Sequence, residues 1–157
     1  MLLACNTSHV FLDEVRALEP DAGRYIVDMI DLLACDAAAR GVNGAFLLAS
    51  EGTIASGIYE DRFGARGIEV EPADEVIQAR LRDFIEAVKQ NQVTAEVMAD
   101  FAAFVCGLGK ADVILGCTEL PLLVGPGGID GVALWDPMQA AIDLLVREVK
   151  KSKTCLP

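Results

Sequence analysis

AFLLASEGT, residues Ala45 to Thr53, decides the fold. Five apolar residues follow one another without a polar break, between Gly44 and the polar Ser50-Glu51 pair. A run that short and that continuous reads as a strand buried on both faces, which is how strands of a parallel sheet look. Gly52-Thr53 then opens a helix expected to end near Gly64–Gly67. Working outward, Asp112–Gly116 (DVILG) is a second run of the same kind, and Met1–Ala4, Arg24–Val27, Ile68–Val70 and Val132–Trp135 are shorter strand candidates.

Amphipathic stretches separate these runs. Helices are expected over His9–Leu18, Met29–Arg40, Asp74–Gln90, Thr94–Leu108 and Pro137–Lys150. In the third, Val76, Leu81, Phe84, Ile85 and Val88 share a face; in the fourth, Thr94 caps and Val97, Phe101, Phe104 and Val105 point inward. Pro137 suits a first helical turn. Glu19–Gly23 reads as a loop and Lys150–Lys153 as a polar tail. Apolar strands alternating with helices give an α/β fold, with parallel sheets covered by helices on both faces. Ligands in such folds bind beyond the carboxyl ends of the strands.

The 157 residues carry 13 Lys+Arg against 24 Asp+Glu, a net charge of −11. Nucleic acid and anionic membrane are therefore not expected partners, since both reward a basic face. No apolar run reaches transmembrane length. The five cysteines include no C-x-x-C pair and there is one histidine, so no metal site is expected. An odd number of cysteines without a signal peptide points to reduced thiols and a cytoplasmic location.

The strand ends hold the chemistry. The first reads LLA-Cys5-Asn6-Thr7, the second FLLA-Ser50-Glu51-Gly52-Thr53, the third VILG-Cys117-Thr118-Glu119. The first and third resemble one another, as halves related by pseudo-symmetry would, and such halves would face two thiols across one cleft. A thiol has an ordinary pKa of about 8.5, which a helix N-terminus lowers. A thiolate and a thiol on opposite sides of a carbon can take a proton from one face and return it to the other, inverting a stereocentre without a cofactor. Cysteine also serves widely as a small buried hydrophobe. Cys35 and Cys106, inside helices among Ala, Leu and Val, are expected in that role, and Cys155 on the tail is expected to be inert.

ACNTSH at Ala4–His9, LLASEGTIASGIY at Leu47–Tyr59 and LGCTELPLL at Leu115–Leu123 together resemble the aspartate/glutamate racemase family, in order along the whole chain. Cys-Thr-Glu is closer to the aspartate racemase branch than Cys-Thr-His would be. The resemblance implies a cofactor-independent racemase acting on aspartate or a similar acidic amino acid, with Cys5 and Cys117 as the two bases. It implies that Asn6, Thr7 and Ser8 hold a substrate carboxylate and that Ser50 and Thr53 line the facing turn. Thr118 and Glu119 flank the second thiol, and Lys89 is the positional match to a lysine of the aspartate branch. Within the racemase reading, the resemblance leaves glutamate racemase, hydantoin racemase and maleate isomerase relatives open as alternatives. His9 is expected near the site in a structural role.

The resemblance also implies two pseudo-symmetric lobes. Residues 24–116 would form a complete lobe, and 1–23 with 117–157 the remnant of a second, truncated by loss of the family's usual segment ahead of Cys5. Its bare edge is expected to be covered by a second copy of the chain, as a dimer, by a separate partner, or by rearrangement. The alternative reading is a truncated, non-catalytic relative that binds a ligand or partner.

Overall fold

The computed structural model describes residues 1–154, leaving Cys155 outside the described residues. Helical turns η1 (Thr7–Phe11), α1 (Leu12–Leu18) and α2 (Pro20–Gly23) lead into α3 (Met29–Ala39), β1 (Gly44–Ala49), α4 (Glu51–Ser56) and α5 (Ile58–Gly64). Then come β2 (Glu69–Pro72), α6 (Glu75–Lys89), α7 (Ala95–Gly107), β3 (Asp112–Gly116), η2 (Leu120–Leu123), β4 (Ala133–Trp135) and α8 (Pro137–Thr154). The four strands form one parallel sheet in the order β2-β1-β3-β4.

Alternation along the central strands builds two cores. Ala45, Leu47 and Ala49 of β1 and Ile114 of β3 face Met29, Ile30, Leu33, Tyr59, Phe63 and Ala141. Phe46, Leu48, Val113 and Leu115 face Leu81, Phe84, Ile85, Phe101, Val105 and Leu120. The sheet is thus a filling between α3, α5 and α8 on one side and α6, α7 and η2 on the other, and this is why its central strands are apolar throughout. The edge strand β2 ends on Pro72, where a missing N–H costs least.

Caps fix the long helices. Asp28 accepts from Asp31 N–H at 3.0 Å, Asp74 from Ile77 N–H at 2.9 Å and Thr94 from Val97 N–H at 3.3 Å. Among the described residues no helix is long and apolar enough to cross a membrane.

Several expectations are corrected. Met1–Ala4 and Arg24–Val27 do not form strands; a single parallel bridge joins Leu2 to Val27, since two short segments alone cannot extend a ladder. Glu19–Gly23 is not a loop, because Pro20 presets the φ of a first helical turn. The helix expected from Gly52 is two helices, broken at Gly57, whose φ of +67° is left-handed. The last helix runs past Lys150, with Lys151 paired to Glu148 at 2.8 Å. Cys35 and Cys106 are exposed rather than buried. In α3 the inward positions are Ile30, Leu33, Ala34 and Ala37, and Cys35 falls between them on the outer face. Beyond residue 116, β4 pairs with β3 in parallel register, and Ala141 of α8 joins the α3 core.

Candidate active site

Two adjacent strands, β1 and β3, end side by side, with Ala49 opposite Gly116. The residue after each is therefore delivered to the same edge of the sheet. There Ser50 starts α4 and Cys117 starts the turn into η2. The first motif arrives from the other side, where η1 carries Thr7 over the β1–α4 turn. A cavity of about 200 Å³ lies between them, lined by Cys5, Asn6, Thr7, Ser50, Thr53, Lys89, Cys117, Thr118 and Glu119, with Ala4 and Gly116 behind. Of the residues expected at a site, only Ser8 does not line it.

Hydroxyl groups tie the two sides together. Thr53, almost fully buried, sits at the centre, with its Oγ1 2.7 Å from Thr7 Oγ1 and 3.0 Å from Ser50 Oγ. The buried Gln78 Nε2 donates to Ala49 O at 3.1 Å, anchoring α6 to the end of β1. Lys89 reaches the same cavity from the last turn of α6.

The two thiols differ in environment. Cys5 is exposed. The Ser8 hydroxyl donates to its sulfur and lowers its pKa; partial burial opposes this, and the Ser8 and Thr7 backbone N–H groups add to it. Cys117 is more deeply placed, and its S–H donates to Glu119 Oε2 at 3.0 Å. Burial first, then the hydrogen bond and charge of Glu119, push its pKa up to about 12. Glu119 is itself held below the usual carboxylate range: burial raises it, but bonds from Cys117 and Thr118 Oγ1 (3.0 Å) outweigh that, with Lys89 assisting. The site thus pairs a thiol that gives up its proton easily with one that keeps it.

Ser8→Ala is expected to raise the Cys5 pKa by removing its largest stabilising contact. The check is the pH dependence of iodoacetamide alkylation, read at the Cys5 peptide by mass, since Cys35 and Cys106 also react. The midpoint should move to higher pH, and an unchanged midpoint would remove Ser8 from this role.

His9 is fully buried and holds the backbone of the motif. Its Nε2 accepts from Met29 N–H at 3.4 Å, so the proton is assigned to Nδ1, which donates to Cys5 O at 2.9 Å. Tyr59 was not among the expected site residues. It is fully buried and its hydroxyl donates to Asn6 Oδ1 at 2.7 Å. A polar tip on an otherwise apolar helix face, within the quoted LLASEGTIASGIY stretch, was the available signal.

A sequence model of the Asp/Glu/Hydantoin racemase family matches residues 1–145. A glutamate racemase from Beutenbergia cavernae is 31% identical over 131 residues, covering 80% of this chain and 43% of that protein. The chain therefore spans less than half the length of that curated relative. Among solved structures, an aspartate racemase homologue from Pyrococcus horikoshii OT3 superposes with a TM-score of 0.72 at 25% identity, over 95% of this chain and 66% of that one. An aspartate racemase from Picrophilus torridus gives 0.66 at 24% identity, over 87% and 55%, a likeness of fold alone.

Proposed function

Because the chain belongs to the Asp/Glu/hydantoin racemase family, we propose that it interconverts the enantiomers of a small acidic amino acid by moving the Cα proton between Cys5 and Cys117. The observation that carries this reading is the opposite poise of the two thiols on one cavity. A two-base inversion needs one base empty and the other loaded at the start. The Cys5 thiolate removes the Cα proton, and the electron pair spreads into the substrate carboxylate. Cys117 S–H returns a proton to the opposite face. The product leaves Cys5 as thiol and Cys117 as thiolate, the state from which the reverse reaction starts.

Donors from Asn6, Thr7 and Thr118 suit one carboxylate of the substrate. Lys89 suits the second carboxylate of the substrate and offsets the Glu119 charge. In an acidic protein, this local cation matters more than the net charge. Aspartate is the favoured substrate, on the Cys-Thr-Glu motif and the placement of Lys89 at the cavity.

The test is incubation with L-aspartate in deuterated water, following Cα deuterium by NMR and optical rotation in parallel. Deuterium incorporation with decay of rotation is expected. Exchange without inversion would restrict the chemistry to one thiol. Folded protein giving neither, with aspartate or with glutamate, would leave the non-catalytic binding reading in its place.

A further inference from the structure

We propose that Tyr59 is a positioning residue of this site: its hydroxyl, 2.7 Å from Asn6 Oδ1, fixes the Asn6 amide so that Nδ2 is presented to a substrate carboxylate. The proposal rests on the acidic amino-acid reading given above. Asn6 is more than nine-tenths buried and lines the cavity with Cys5, Thr7 and Cys117. Its Oδ1 is satisfied by Tyr59, whereas its Nδ2 has no hydrogen-bond partner among the described residues. A buried amide donor left unpaired costs about 1–3 kcal/mol, so it marks a place where an acceptor belongs.

The two ends of a carboxamide are nearly the same shape, and packing alone orients it poorly. Orientation nevertheless decides the sign of the interaction here. Nδ2 attracts a carboxylate, and Oδ1 in its place would repel one. A phenol hydroxyl breaks the tie, because it needs an acceptor for its proton and, among the described residues, donates to Asn6 Oδ1. Burial, with the charges of Asp136 and Asp28, pushes the Tyr59 pKa well up, so the hydroxyl keeps its proton. Tyr59 has no exposed surface and does not meet a ligand itself. Its ring is fixed within the core, 5.9 Å from Phe63 between centroids.

Tyr59→Phe removes the hydroxyl and keeps the ring. Racemisation of L-aspartate by this variant is expected to show a KM raised roughly tenfold, the size of one charge-assisted hydrogen bond, with kcat within about twofold. Tyr25→Phe, at an exposed tyrosine, serves as the control and should match the unmodified protein. An unchanged KM in Tyr59→Phe overturns the proposal, as does a loss confined to kcat. Absence of turnover in the unmodified protein would instead overturn the racemase reading. In that case, or should Tyr59→Phe fail to fold, the side-chain NH₂ signals of Asn6 in ¹H–¹⁵N spectra decide. A shift of these signals on titration of the unmodified protein with L-aspartate supports the presented amide, and no shift at saturation overturns it.

Discussion

Replacing either Cys5 or Cys117 with alanine is expected to lower racemisation by roughly 10²–10⁴-fold, the usual worth of a positioned acid or base. The losses should differ in kind. Without Cys5, the remaining thiol is the one whose proton Glu119 and burial retain, so the substrate face that meets Cys5 loses its base. Without Cys117, Cys5 can still exchange the proton on its own face but cannot complete an inversion. Deuterium wash-in measured separately from L- and D-aspartate should therefore split: the Cys117→Ala variant exchanges one enantiomer with retention, and Cys5→Ala exchanges that enantiomer poorly. Either variant racemising at the unmodified rate would refute the two-base assignment. The pH profile carries the same information. The reaction needs Cys5 deprotonated, so its rate should rise with pH through a value below the ordinary thiol pKa. It needs Cys117 protonated, so the fall should come only as pH approaches about 12.

Gly116→Val is expected to destabilise the sheet strongly. A Cβ at this position would lie 2.8 Å from Leu47 Cδ1, 2.9 Å from Ala49 Cβ and 3.3 Å from Leu48 O. Leu47 and Ala49 have no exposed surface, and Ala49 is the register partner of Gly116, so neither strand can yield without disturbing the ladder. Overpacking of this kind costs about 1–3 kcal/mol. At this chain length each kcal/mol lowers Tm by roughly 2–4 °C. Because Cys117 is the next residue, activity should fall further than the loss of folded protein explains. Gly127→Ala is the matched control, since a Cβ there meets nothing within 4 Å. Equal melting temperatures for the two variants would mean that the β1–β3 approach is not tight.

The Gly116 contact also explains why the sheet was easy to read and the site less so. A strand between two helical layers must be apolar on both faces, so AFLLA and DVILG could be recognised without knowing what covers them. The Thr94 cap was legible for a similarly local reason, because its side chain acts within three residues of itself; the Asp28 and Asp74 caps emerged only from the structure. The strand-end rule then placed Ser50 and Cys117 together, whereas Cys5 follows no strand of the sheet and reaches the cavity ahead of η1. Lys89 was a positional match only, and its arrival depends on the whole length and direction of α6. Cys35 and Cys106 were misread because composition around a cysteine does not say which face of its helix it occupies.

By itself the sequence determined the α/β class, the order of its main elements and the identity of the two thiols with their neighbours, since each follows from local pattern and chain order. Only the tertiary structure decided that the thiols sit in unequal surroundings, that Ser8 meets the Cys5 sulfur, and that Tyr59 donates to Asn6 Oδ1. Those properties depend on burial and on partners brought from distant parts of the chain, 53 residues apart for Tyr59 and Asn6. A proton's affinity for a thiol is set by such surroundings, and they exist only once the sheet has gathered its strand ends.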